Sequence, residues 1–162
     1  MKSAGIFAVR AYHKTVRARA FIDGSALNNP GAAGLAVRIE DEQGRLLLEL
    51  CEPIGRATNN FAEYYSLLRC LQEAKRMGIT ELDIYTDLEL IVKQWSGVYK
   101  VNERLRPLYS EAKRIAQEIG QVRIHHAKAE SEWVEIIQYV DALCRKAAEH
   151  VQKVGRDDED WI

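Results

Sequence analysis

Four acidic residues stand where the pattern around them changes. Asp23 ends the apolar run ARAFID before a cluster of glycines and asparagines, Glu63 opens the amphipathic stretch NNFAEYYSLL, Asp87 ends LDIYTD, and Asp141 lies in YVDALCRKA. Carboxylates at such junctions have ordinary uses. Asp23 with Gly24 and Ser25 fits an Asx turn, Glu63 fits the third position of a capping box opened by Asn60, Asp87 fits a cap for a helix starting at Leu88, and Asp141 fits a plain surface acid. Their collective use is different. Three or four anions on one rim repel and raise one another's pKa unless a cation neutralises them. Hard divalent ions with oxygen ligands suit that arrangement, Mg²⁺ above all. Two such ions about 4 Å apart can activate a water on one side of a phosphodiester and stabilise the leaving oxygen on the other. No Cys or His spacing here matches zinc ligation.

For the acids to meet, the intervening elements must bring their ends together. Residues 18–23 read as a strand, followed by a glycine-rich turn and by strands over 34–41 and 44–54 joined across Glu42, Gln43 and Gly44, which makes an antiparallel meander. Phe61, Tyr64, Leu67, Leu68, Leu71 and Ala74 carry helical spacing in a segment that Gly78 ends. Residues 82–87 read as a buried strand that joins the same sheet in parallel, because a helix separates it from the meander. A short helix follows over 88–95, then a longer one over 102–120 with Pro107 near its first turn, then a fifth strand over 121–127. Trp133, Ile136, Ile137, Val140, Leu143, Cys144 and Ala147 form one stripe of a last helix, with Asp141 at its border. A parallel first and fourth strand would put Asp23 and Asp87 on the rim where open α/β sheets usually hold ligands.

The 162 residues show no composition break, and 47% of them are apolar, so a single domain over 16–153 with a full core is expected, flanked by a basic arm or extra strand over 1–15 and an acidic tail over 154–162. A net charge of -1 and a pI near 6.4 exclude a molecule that attracts nucleic acid as a whole, so any such binding must come from local patches. Cys51, Cys70 and Cys144 are odd in number, widely spaced and set in apolar segments; they read as reduced core thiols in a cytoplasmic setting. The N-terminal apolar run is too short for a signal segment, and no run approaches a membrane span.

These ordered pieces resemble the type 1 ribonucleases H over roughly Arg17 to Ala148. DGSALNNPGAAG looks like the family's first-strand motif, ATNNFAEYYSLLRCL like its first-helix motif, LDIYTDLELIVKQWSGVYKV like its fourth-strand motif, and YVDALCRKA like its final-helix signature. The resemblance implies a ribonuclease H-like α/β fold, a five-stranded mixed sheet of order 3-2-1-4-5 with helices on both faces. It implies catalytic, metal-holding Asp23, Glu63, Asp87 and Asp141, with Asp23 bridging two Mg²⁺ ions (Mn²⁺ as the substitute), Asp141 completing the first site and Glu63 with Asp87 holding the second. The implied partner is an RNA/DNA hybrid whose RNA strand a monomeric enzyme hydrolyses to 5′-phosphate and 3′-hydroxyl ends. Asn29, Asn59 and Asn60 match the positions that contact the minor groove, where 2′-hydroxyls distinguish the strands, and Thr58 matches the one that meets a DNA phosphate. Turn formation and helix capping are open to the same four residues.

The chain also departs from the family pattern. Leu88 stands where a Ser commonly follows the strand-four acid, Ile137 where an Asn is frequent, and the stretch from His126 to Asp141 is longer than usual, which makes Glu130 and Glu132 alternative fourth ligands. The few residues between Trp95 and Leu105 leave no room for the extra helix and basic handle of longer members, so the chain resembles the short form. Lys93, Lys100, Arg104 and Arg106, with Trp95 and Tyr99 among them, form either a smaller phosphate-facing patch or a solvated surface. His126 and Lys128 are the candidates for assisting proton movement or product release. These departures motivate an alternative function, a hybrid-binding module of the same fold with weakened catalysis. The tail DDEDWI is a candidate docking peptide for a weakly bound protein partner, against plain disorder.

Overall fold

Strand β1 (Arg17–Ala26) is the middle of a five-stranded sheet because it pairs on both sides, antiparallel with β2 (Gly31–Asp41) and parallel with β4 (Glu81–Thr86). Strand β3 (Leu46–Ala57) pairs with β2 at one edge and β5 (Gln121–His126) with β4 at the other, giving the order β3-β2-β1-β4-β5. The computed structural model describes residues 15–128 and 131–154. The arm expected over 1–15 and the tail over 154–162 fall, apart from Thr15 and Val154, outside the described residues. No helix among the described residues is long and apolar enough to cross a membrane.

Four helices complete the described fold: α1 (Asn59–Arg76), α2 (Glu89–Trp95), α3 (Arg106–Ile119) and α4 (Val134–Val154). Alternation decides which side chain meets which helix. Ala20 and Ile22 of β1, with Leu35, Val37 and Ile39 of β2, face α1 and α3 in the larger core. Phe21 and Ala36 face the other way and pack with Val140 and Cys144 of α4. The Phe21 ring lies 5.4 Å from those of both Tyr85 and Trp133, which fastens the start of α4 to the sheet; truncating a ring so enclosed typically costs roughly 3–5 kcal/mol. Helices on both faces explain why β2 is buried at nearly every position instead of every second one.

The expected elements are present, with shifts that have physical causes. Strand β1 runs three residues past Asp23, because Gly24, Ser25 and Ala26 continue the pairing with β2 after the pairing with β4 has stopped at Phe21 and Tyr85. Helix α3 starts at Arg106, with Pro107 in its first turn, since residues 103–105 are spent on a turn that the Asn102 carboxamide closes by accepting from the Leu105 amide at 3.0 Å. Cys51 corrects an expectation: all three cysteines are free thiols, but Cys51 is exposed on edge strand β3, and only Cys70 and Cys144 are core thiols.

Candidate metal centre and adjoining groove

The parallel register of β1 and β4 aligns Phe21 with Tyr85, so two residues further along each strand Asp23 and Asp87 arrive side by side on the rim. The third acid comes from the first turns of α1. Gly24 makes this approach possible: a Cβ there would lie 2.2 Å from the Ala62 carbonyl carbon and 2.5 Å from the Glu63 nitrogen, so strand and helix touch through their main chains. The Gly24 amide donates to both Asp23 Oδ1 at 3.0 Å and Glu63 Oε2 at 2.8 Å. The Thr86 hydroxyl donates to Glu63 Oε1 at 2.7 Å. One ligand oxygen from each of Asp23, Glu63 and Asp87 then lies within 4.8 Å of the others.

These contacts settle the ordinary uses considered for each acid. The N-cap of α1 is Thr58, whose hydroxyl accepts from the Phe61 amide at 3.1 Å, and Glu63 is turned to Gly24 and Thr86, so the Asn60 capping box does not form. Among the described residues helix α2 has no side-chain cap; the Leu88 amide goes to the Thr86 hydroxyl, which leaves Asp87 pointing to the rim. Asp23 accepts locally from Gly24 through Oδ1, but its Oδ2 is buried with no hydrogen-bond partner among the described residues.

An unpartnered buried carboxylate oxygen is costly unless the group is protonated or a cation sits beside it. The electrostatics agree. Burial, then the Glu63 charge, then the nearby Asp141 carboxyl and the Asp87 charge push Asp23 up to about 10. Burial also raises Glu63, to about 7, against the opposing hydrogen bonds from Thr86 and Gly24. Asp87 is raised by burial and by the Asp141 charge, with His126 pulling the other way. Such a set, all oxygen donors and short of positive charge, fits a hard divalent cation.

Asp141 stands at the margin of this cluster. It reaches Asp23 and Asp87 closely enough to raise both, yet it is outside the three-acid set, and its Oδ2 accepts from Arg145 Nε at 3.1 Å. Its place is set three residues on, where the Cys144 thiol donates to the Gly34 carbonyl at 3.1 Å; a Cβ on Gly34 would come within 2.6 Å of the Ala148 nitrogen, so α4 lies directly on β2. Of the alternative fourth ligands, Glu132 is exposed, is not in the three-acid set, and has a charge that acts on Tyr85, while Glu130 lies outside the described residues. His126 approaches Glu89 at 3.8 Å and is near enough to Asp87 to influence it.

Beside the rim opens a cavity of about 530 Å³ lined by Asn29, Thr58, Asn60, Phe61, Asn102, Arg104 and Leu105. Three of the four residues expected to contact nucleic acid therefore share one groove. Asn59 is not among the lining residues; its side chain accepts from the Ala26 amide at 2.7 Å, while its own amide donates to the Asn29 side chain at 2.9 Å. Those bonds tie the turn after β1 to the start of α1, so the turn and capping uses of Asn29, Asn59 and Thr58 coexist with the groove. Asn102 and Phe61 were not anticipated from sequence, and for Asn102 the available signal was an Asx-type turn ahead of Pro107. Between Trp95 and Arg106 the chain forms turns and no further helix, in keeping with the short form.

A mixed sheet of this order, with acids converging at the ends of its parallel central pair and an amide-lined groove alongside, defines a ribonuclease H-like domain. Comparison with known proteins refines the class. The model of the family described as Reverse transcriptase-like matches residues 21–147. A bifunctional protein of Mycobacterium tuberculosis is 34% identical over 142 residues, 85% of this chain and 37% of that protein, so the chain spans well under half of that curated relative. The solved N-terminal RNase H domain from Mycobacterium tuberculosis is 30% identical with a TM-score of 0.78, covering 87% of this chain and 99% of that one. An RNase H1 solved in complex with an RNA/DNA hybrid is 34% identical with a TM-score of 0.75, covering 83% of this chain and 98% of that one. The chain belongs to the reverse transcriptase-like family and, within it, to the type 1 ribonucleases H.

Proposed function

We propose that this protein is a divalent-metal-dependent endonuclease that hydrolyses the RNA strand of RNA/DNA hybrids, leaving 5′-phosphate and 3′-hydroxyl ends. The observation that carries the proposal is the convergence of Asp23, Glu63 and Asp87, with ligand oxygens within 4.8 Å and a buried Asp23 oxygen that has no partner among the described residues, beside a groove lined by Asn29, Thr58 and Asn60. Asp23, Glu63, Asp87 and Asp141 are the residues that would hold two Mg²⁺ ions, or Mn²⁺ in their place. When bound, such ions supply Lewis acidity that makes water nucleophilic at neutral pH and offsets charge on the phosphate.

The chain's own residues do the rest. The forked Gly24 amide and the Thr86 hydroxyl fix the Asp23 and Glu63 carboxylates before any substrate arrives, so little reorganisation is left for the reaction. The carboxamides of Asn29 and Asn60 offer donors and acceptors to the 2′-hydroxyls and base edges of a minor groove, the feature that separates RNA from DNA. Thr58 and Arg104 offer a hydroxyl and a cation to backbone phosphates across the same cavity. The enzyme is read as a cytoplasmic monomer, which its free thiols suit.

The test is cleavage of an end-labelled RNA/DNA hybrid in Mg²⁺, with single-stranded RNA and duplex DNA as controls. Hybrid-specific cutting that Asp23→Asn abolishes, with the circular dichroism spectrum retained, supports the proposal. Binding of hybrid without turnover in either Mg²⁺ or Mn²⁺ would replace it with the binding-module reading, which the marginal place of Asp141 and its bond to Arg145 favour.

A further inference from the structure

Behind the groove sits a polar group of a different kind. Gln94, at the end of α2, is 4% exposed, and both halves of its carboxamide are engaged. Its Oε1 accepts from the Tyr64 hydroxyl at 2.5 Å, and its Nε2 donates to the Lys100 carbonyl at 3.0 Å. Tyr64 is fully buried and adjoins Glu63, so one position of α1 faces the acid rim and the next faces Gln94. Lys100 lies in the irregular segment between α2 and α3, the segment that brings Asn102 and Arg104 to the cavity wall. Tyr64 and Gln94 thus connect the helix carrying one wall of the groove to the loop carrying the other.

A buried tyrosine–glutamine pair is a poor way to gain stability alone, since an apolar pair of like volume would fill the space with no desolvation cost. What a satisfied buried pair adds is direction, because its bonds hold in one geometry and are costly to break. Neighbouring contacts act on the same segment: the Val98 and Tyr99 amides donate to the Lys93 carbonyl at 2.9 and 3.2 Å, and the Arg106 guanidinium donates to the Val101 carbonyl at 3.2 Å. The Tyr109 hydroxyl reaches the Gln94 main-chain carbonyl at 3.5 Å, and Lys113 donates to the Trp95 carbonyl at 2.9 Å while lying over the Trp95 ring. Among these contacts, the Gln94 carboxamide is the link from the loop to α1.

We infer that Gln94 is a positioning residue: through Tyr64 and the Lys100 carbonyl it sets the distance between the acid rim and the Asn102–Arg104 wall of the groove, and so governs capture of the hybrid more than the chemical step. The inference rests on the hybrid-cleaving reading above for its kinetic part and on the geometry alone for its structural part. Gln94→Met keeps the volume and removes both bonds; Tyr64→Phe removes the phenol and leaves the Lys100 contact.

Two measurements decide it. In hybrid cleavage, Gln94→Met raises KM about tenfold with kcat within about twofold of wild type, and Tyr64→Phe raises KM about threefold, the split expected of a lost binding contact. Without nucleic acid, hydrogen exchange of the Val98, Tyr99, Leu105 and Arg106 amides quickens in Gln94→Met while the β1 amides keep their protection. Unchanged exchange at those four amides, or kcat falling in step with KM rising, overturns the inference. A wild-type chain inert toward hybrid overturns the functional reading instead, and the exchange arm still decides whether Gln94 holds the loop. If Gln94→Met does not fold, Tyr64→Phe carries both measurements.

Discussion

Strands β1 and β2 bury carboxylates at two places on one face, and they treat them in opposite ways. Glu40 lies directly across from Arg19, and Asp23 directly across from Ala36, four residues or about 13 Å further along the same pair of strands. Glu40 is 2% exposed and Asp23 8% exposed. Glu40 is met by Arg19 Nε at 2.6 Å and Arg38 Nε at 3.2 Å, and the second arginine continues to Glu49 at 2.9 Å. Asp23 has other acids as neighbours and an oxygen with no partner among the described residues. The first site brings its own cations; the second is built to need one from outside. Burial of an acid is therefore not what sets the second site apart; burial without a countercharge is.

The sharpest way to break the contrast is to remove the acid that lacks a partner. Asp23→Asn is expected to lower hybrid cleavage by at least about a thousandfold, since it removes a ligand oxygen at the centre of the cluster. Cleavage within tenfold of wild type would leave the metal-centre reading without support. The same exchange at the other site should invert the pattern. Glu40→Ala strands two arginines that can still reach water, and is expected to cost about 2–3 kcal/mol in urea unfolding with kcat unchanged.

Metal dependence sharpens the comparison next. With Mg²⁺ at about a hundred times its Kd the wild-type fold should gain about 2.7 kcal/mol, read as a rise in Tm that Asp23→Asn lacks and Glu40→Ala keeps. In chelator the sign reverses. Asp23 in the fold titrates near 10, against the ordinary carboxylate value near 4, so the metal-free fold holds a proton that the unfolded chain releases. Stability present below about pH 4 is then lost as pH rises toward about 10, and Asp23→Asn flattens that fall; parallel slopes for the two proteins would contradict it. The smallest expected effect is at the margin: Asp141→Asn should reduce turnover about tenfold, because Asp141 stands outside the three-acid set and is bonded to Arg145.

Periodicity and turn signals made the meander, the helices and the parallel fourth strand legible, and Asp23 and Asp87 share a rim because they lie at the ends of that parallel pair, whereas the full sheet order followed from the family resemblance. What stayed hidden depended on partners distant in the chain. A-T-N-N-F-A-E offers two cap spacings, Thr58 to Phe61 and Asn60 to Glu63, and nothing local chooses between them. The choice is made by the Gly24 amide and the Thr86 hydroxyl, 39 and 23 residues from Glu63. Cys51 was misplaced for a similar reason. LLLELC reads as an interior run, but β3 is an edge strand, where Leu46 and Leu47 are also exposed. The wall formed by Asn102 and Arg104 needed the fold of an irregular segment, on which periodicity is silent.

Because strand and helix meet at Gly24 with no side chain between them, the spacing of the two acids it clamps is set by main-chain contact and by the two hydrogen bonds of one amide, not by interlocking side chains. Reshuffling the surrounding hydrophobic residues in a randomised library should therefore leave the opening between the two acids intact. Even the smallest enlargement at that single position, one methyl, would prise it open.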